Sequence, residues 1–237
     1  MNDPLHGKKV LVVGGSSGIG AAAAKAFAQR GAVVTIASRD PARAGADVAP
    51  DGHVRTEALD ITDTAAVDAF CARVGQFDHV VISAAKTATG PLRALPLADA
   101  QAAMDSKFWG AYRIARSIDI APGGSLTFVS GYLSVRPSTS SVLQGAINAA
   151  LEALARGLAL ELAPVRVNTV SPGLIATPLW DKLAPDVRDA MYAGAAQRLP
   201  ARRVGQPEDV ANAIVYLATT PYATGSTVLI DGGGAIA

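Results

Sequence analysis

Between a run of apolar residues and an alanine-rich helical pattern lies Gly14-Gly15-Ser16-Ser17-Gly18-Ile19-Gly20. Glycines at this spacing permit a tight turn and let backbone amides approach a pyrophosphate. The helix expected over GIGAAAAKAFAQRG aims its positive N-terminal end at the same anion. A second apolar run, AVVTIASRD, ends in Ala37-Ser38-Arg39. Where a dinucleotide has a free ribose 2′-hydroxyl, an acidic residue ordinarily stands here. A carboxylate would repel a 2′-phosphate, whereas Ser38 can donate a hydrogen bond and Arg39 a bidentate charged pair. The residues therefore point to NADP(H) over NAD(H).

Other chemistries lack their residues. His6, His53 and His79 are dispersed without metal-ligand spacing, and Cys71 stands alone, so neither a metal cluster nor an internal disulfide is expected. The net charge is +1 with no basic run, which gives a nucleic-acid partner no electrostatic footing. MNDPLHGKK lacks the apolar core of a signal peptide, and no apolar run reaches the roughly 20 residues of a membrane span. A cytoplasmic location is the expectation.

The elements that must position these residues alternate along the chain. Strands are expected at KKVLVVGG, AVVTIASRD, HVRTEALDI, FDHVVISAA, GGSLTFVSG, VRVNTVSPG and GSTVLIDGG. Helical patterns fall between them: TDTAAVDAFCARVG with Thr62 as N-cap, a long LADAQAAMDSKFWGAYRIARSI, the longest STSSVLQGAINAALEALARGLALEL, and QPEDVANAIVYLATT. Continuous Val/Ile/Leu strands between helices imply a mainly parallel sheet covered on both faces. The expectation is an α/β protein: one doubly wound domain over residues 1–237, seven strands, with ligands at the carboxyl ends of the strands.

Several motifs in order carry a resemblance to the short-chain dehydrogenase/reductase family, from about Leu5 to Gly234. The family's TGxxxGIG reads VGGSSGIG, with Val13 in the threonine's place. Asp60-Ile61 matches the pair bordering the adenine. Pro172, Gly173, Ile175 and Thr177, in SPGLIAT, match the segment that holds the nicotinamide carboxamide, and the NNAG after the fourth strand becomes Ile82-Ser83-Ala84-Ala85. The resemblance implies a cofactor site made of Gly14, Ser16, Ser17, Gly18, Ile19, Gly20, Ser38, Arg39, Asp60, Ile61, Ser83, Ala84 and the SPGLIAT segment. It also implies a substrate lid at about 177–204.

The resemblance breaks at the catalytic end. The family uses a Ser–Tyr–Lys set helped by an Asn, because hydride leaving an alcohol carbon must be matched by loss of the hydroxyl proton. Laying QGAINAALEAL on the family's register puts Gln144 at the lysine and Ser140 at the tyrosine. Lys107 falls on the asparagine. Ser130 survives at the end of strand five, and either Ser130 positions the substrate or Gly131 has replaced the functional serine. Neither glutamine nor serine can do a phenol's work. Three activities stand open: a redox enzyme whose proton chemistry has moved to Lys107 and Tyr132, an NADP(H)-binding or redox-sensing protein with little turnover, and a non-redox activity on the same scaffold. The first is favoured, since a lysine desolvated beside a cofactor can exchange protons near neutrality. The substrate would be a small carbonyl or alcohol compound. Leu179, Trp180, Leu183, Met191 and Tyr192 make the lid moderately apolar, and Arg198, Arg202 and Arg203 read as surface charges. The two long Ala/Leu-rich helices, which the family uses for assembly, imply a homotetramer, with a homodimer as the alternative.

Overall fold

The computed structural model describes residues 3–44 and 54–237. Seven strands pair in the order β3-β2-β1-β4-β5-β6-β7, every pair parallel. They are β1 Lys9–Val13, β2 Val33–Ser38, β3 Val54–Ala58, β4 Phe77–Ile82, β5 Ile120–Val129, β6 Arg166–Pro172 and β7 Thr227–Ile230. The sheet is thus wholly parallel. His53, expected to open β3, lies outside the described residues.

Side-chain alternation explains why these runs are apolar throughout. Val10 and Val12 of β1 enter one core, with Phe27 of α1 (Gly18–Ala28) and Val210, Ile214 and Leu217 of α7 (Pro207–Thr219). Leu11 and Val13 enter the other. There they meet Phe70 of α2 (Thr64–Val74), Ile114 of α4 (Gly110–Ser117), and Leu151 and Ala155 of α5 (Val142–Glu161). The remaining helices are α3 (Leu97–Met104) and α6 (Pro185–Arg198). Strand order reverses between β1 and β4, so the crevice at their carboxyl ends is the topological switch point of this doubly wound fold.

The elements differ from the sequence expectations in three places that matter. The long helix from Leu97 is interrupted by a π-turn over Asp105–Trp109, which the Arg113 guanidinium spans by donating to Asp105 Oδ1 at 2.7 Å. α5 begins at Val142, leaving Ser138–Ser141 in the preceding turn. The N-cap of α2 is Asp63, whose carboxylate accepts from Ala66 N at 3.0 Å. Thr62 is engaged instead with Asp60, to which its backbone and hydroxyl both donate.

Candidate active site

The loops leaving β1, β2 and β4 are pressed together. Gly14 N donates to Ala37 O and Ser83 N to Val13 O. Gly14 has φ +84°, and a Cβ there would lie 2.5 Å from Ala84 N, so glycine is required both for the turn and for the close approach. A Cβ at Gly20 would collide with the Gly14 carbonyl oxygen, and one at Gly18 would touch Thr177 of the loop after β6. Helix α1 starts here with an extended Ser17 whose side chain makes no cap and with no acidic residue in its first turn, so its leading amides remain directed at the crevice. Ser38 Oγ is buried without a hydrogen-bond partner among the described residues, and Arg39 beside it is exposed. A free hydroxyl donor, a guanidinium and an uncapped helix end form a donor set that fits a dinucleotide with an additional phosphate.

Beyond Arg39 a cleft of about 500 Å³ is lined by Ala58, Leu59, Asp60, Phe70 and Arg73. Asp60 is held below the usual carboxylate range by the backbone and hydroxyl donors of Thr62. Ile61 is buried under Gly110. On the other side of the crevice, Gly173 N donates to Ile230 O, Ile175 is buried and bridges to Gly205, and Trp180 Nε1 donates to Ile175 O at 2.9 Å. The residues expected to form a cofactor site thus converge from five strand ends. From α2 the cleft is also lined by the buried Phe70 and by the exposed Arg73, whose guanidinium is bound to Glu57, and nothing in the local sequence marks either as part of a site.

Past the carboxyl end of β5 lies a buried polar cluster built around Lys107. The π-turn carries Lys107 inward, where only 6% of it is exposed. Its Nζ donates to Ser130 O at 2.7 Å and to Asn148 Oδ1 at 2.6 Å. Burial pulls its pKa from the ordinary 10.5 to about 8, against the opposing pull of the Glu152 carboxylate. Gln144 Nε2 reaches the same Asn148 oxygen at 3.4 Å, and Gln144 Oε1 is buried with no partner among the described residues. One turn beyond Asn148, Glu152 Oε1 accepts from Ser130 Oγ at 2.8 Å, Ser134 Oγ at 2.7 Å and Ser171 Oγ at 3.2 Å.

Of the expected catalytic residues, Lys107, Ser130 and Gln144 share this cluster. Ser140 does not: it sits exposed in the turn before α5, paired with Ser138 Oγ at 3.1 Å. The helix brings Gln144, Asn148 and Glu152 inward instead, because i, i+4 and i+8 share one face. Ser130 donates its hydroxyl to Glu152. Gly131 has φ +157° and a Cβ there would stand 2.7 Å from Asn148 Nδ2, so a serine at 131 would require the Asn148 amide to move. Tyr132 opens a short 3₁₀ turn with its ring edge against Gly234, and no hydrogen bond ties it to Lys107. Asn148 and Glu152 are the residues that sequence reasoning missed. Their signal was the polar stripe 144/148/152 on an otherwise Ala/Leu helix.

Above the crevice stand the 3₁₀ turn Pro178–Trp180 and α6, with Leu179 and Val187 exposed. Arg203 is bound through both nitrogens to Asp209, and Arg202 donates to Gln197 O, so neither points a free charge into the site. Among the described residues no helix is long and apolar enough to cross a membrane, and no group of His, Cys, Asp and Glu is arranged to hold a metal.

Residues 13–234 match a family model described as Enoyl-(Acyl carrier protein) reductase. The chain is 32% identical to the short-chain dehydrogenase/reductase ucsE of Acremonium sp, over 99% of this chain and 98% of the relative. A solved small-chain dehydrogenase in complex with NADPH superposes with a TM-score of 0.83 at 33% identity, covering 98% of this chain and all of the other. An NADPH-bound short chain oxidoreductase from Pseudomonas aeruginosa PAO1, described as containing an atypical catalytic center, superposes with a TM-score of 0.86 at 25% identity, over 96% of each chain. By this likeness along nearly its whole length, the chain belongs to the short-chain dehydrogenase/reductase family.

Proposed function

We propose that this family member is an NADP(H)-dependent oxidoreductase acting on a carbonyl/alcohol pair, with Lys107 as the group that gives or takes the proton. The observation that carries this is the Lys107 ammonium: buried past the carboxyl end of β5 and held by two neutral acceptors, with burial lowering its pKa to about 8. The NADPH complexes among its structural relatives support the cofactor assignment.

The glycine turn of Gly14, Gly18 and Gly20, with Ser16, Ser17 and Ile19, would hold the pyrophosphate. Ser38 and Arg39 would hold the 2′-phosphate, Asp60 and Ile61 the adenine, and Ser83, Ala84, Pro172, Gly173, Ile175 and Thr177 the nicotinamide half. When bound, the cofactor supplies or accepts the hydride. The rest falls to the chain. Lys107 has three N–H donors and two are engaged, so the third is free for a carbonyl oxygen as negative charge develops on it. In reduction that proton moves to oxygen and solvent recharges the amine. In oxidation the neutral amine takes the hydroxyl proton. In this reading the helix register slides one turn from that of the sequence analysis, so Gln144 stands at the family's tyrosine and Asn148 at its lysine. Residues 177–204 serve as the substrate lid.

One observation favours the second reading, a cofactor-binding protein of low turnover: Ser130, the hydroxyl expected to position substrate, is committed to Glu152. Purified protein assayed with NADPH against a broad carbonyl panel separates the two. Turnover that Lys107→Met abolishes supports the enzyme. Tight NADPH binding with no turnover on any carbonyl or alcohol supports the binder. For assembly we propose a homotetramer, with a homodimer as the alternative, through the helices that expose Trp109, Tyr112, Val142 and Leu160, and light scattering reads its mass.

A further inference from the structure

We infer that Gln144 recognises a hydrogen-bond donor on the substrate, so that the chain prefers carbonyl compounds carrying a hydroxyl or N–H on the atom next to the reacting carbonyl or one atom further. The inference rests on the reading of Lys107 as the group that meets the carbonyl oxygen.

The argument follows polarity along the cluster. An ammonium has donors only, so the Asn148 atom 2.6 Å from Lys107 Nζ must be the amide oxygen. That oxygen can only accept, so Gln144 turns its amide nitrogen toward it, at 3.4 Å. Gln144 Oε1 is thereby left facing away from Asn148. It has no partner among the described residues, although only 8% of the residue is exposed. A buried acceptor left unpaired is destabilising, whereas the Ser130 hydroxyl and the Glu152 carboxylate beside it are paired.

Two functions are therefore unspent in one place: an N–H on Lys107 and an acceptor on Gln144. Both side chains meet on a single Asn148 atom, so the two stand side by side. One ligand satisfies both if a carbonyl oxygen and a donor are neighbours on its skeleton, as in an α- or β-hydroxy ketone or an amide-bearing ketone. An alkyl group in the second position leaves Oε1 unpaired. An ether oxygen or carboxylate there sets acceptor against acceptor. Tyr132, on the turn after β5, has its ring edge against Gly234 and makes no hydrogen bond to Gln144 Oε1.

The test uses matched pairs, each an α-hydroxy ketone and its O-methyl ether on the same skeleton. They are titrated calorimetrically into full-length protein saturated with NADP⁺, a complex in which no ketone can be reduced. The hydroxy ketone is expected to bind about tenfold to a hundredfold more tightly than its ether. Gln144→Met brings the ratio near one, while Gln144→Glu, which keeps an acceptor oxygen, retains the preference. Rates with NADPH give a second ratio, in kcat/KM. Because the binding ratio needs no turnover, a preference seen in protein that reduces no ketone upholds this inference while refuting the oxidoreductase reading. A panel in which no hydroxy ketone binds more tightly than its ether overturns the inference, as does a preference that Gln144→Met leaves unmoved.

Discussion

A lysine that donates a proton at pH 7 must lose that ability when it is deprotonated, and the structure says where. Burial brings the Lys107 pKa to about 8 from the ordinary 10.5. The charged groups around it are few. Glu152 on α5 opposes the shift, while Asp105 of the π-turn and Arg113 of α4 are paired with each other. On the proposed mechanism ketone reduction needs the ammonium, so kcat/KM should be level below pH 8 and fall about tenfold per unit above it, roughly a hundredfold by pH 10. Alcohol oxidation needs the amine and should rise toward a plateau over the same range. Lys107→Met should remove the break and, with the acid/base group gone, reduce the rate by about 10²–10⁴. The variant should still fold. At neutral pH the buried charge costs about 3 kcal/mol, which methionine returns. Leaving Ser130 O and Asn148 Oδ1 without their donor costs about 1–3 kcal/mol each. The terms oppose each other, so Tm should move by less than about 10 °C. Stopped-flow rates against pH on wild type and variant decide it. A reduction profile level to pH 10, or a break near 8 that survives in Lys107→Met, refutes the assignment of Lys107.

Three further outcomes follow from other residues. Arg39→Ala should weaken NADPH binding roughly ten- to hundredfold while leaving NADH nearly unchanged, read by calorimetry. His79 is buried against Ser125 and its pKa is driven down to about 4, so the unfolded chain binds a proton that the folded chain refuses between pH 6.5 and 4. Stability should fall by about 3 kcal/mol as pH drops through that window, and urea titrations of His79→Gln should show that part of the slope missing. Gly131→Ser should lower stability by about 1–3 kcal/mol and, by displacing Asn148 from Lys107, move the reduction break even if the serine hydroxyl reaches the crevice.

The fold was legible because its signals are local. Each strand is a Val/Ile/Leu run that needs cover on two faces, and the glycine turn after β1 combines its positive-φ residue, its close approach to Ala84 and its helix start in seven consecutive positions. What misled was also physical. The pattern over 97–118 is helical throughout, and helical periodicity has no means of announcing a π-turn that adds one residue at 105–109. Thr62 and Asp63 are both good N-caps, and the choice fell to Asp63 because Asp60 already engages Thr62. At α5 the serine-rich stretch 138–141, read as helix, lies in the turn before it, and the helix starts at Val142. The apolar face of Ile147, Leu151 and Ala155 fixes which side is buried, and with it the inward stripe of Gln144, Asn148 and Glu152.

That stripe bears on whether the catalytic end has decayed or been rebuilt. A side chain lost by drift needs no compensation elsewhere, yet here the unusual residues depend on one another. Lys107 can be buried because Asn148 turns an oxygen to it, and Asn148 can sit there because residue 131 has no Cβ. The Lys107 charge is opposed by Glu152, which in turn is solvated by three serine hydroxyls, two from the segment after β5 and one from β6. Isolated buried charges of this kind destabilise a fold by several kcal/mol, and replacing them with apolar residues is the easier course. Natural sequences retain such arrangements chiefly where function requires them. Five mutually dependent positions, 107, 130, 131, 148 and 152, drawn from the π-turn, the loop after β5 and α5, therefore argue for a selected site. It follows that the single variants Lys107→Met and Asn148→Leu should each cost activity, and that combining them should cost far less than the product of the two, since either alone dismantles the same unit.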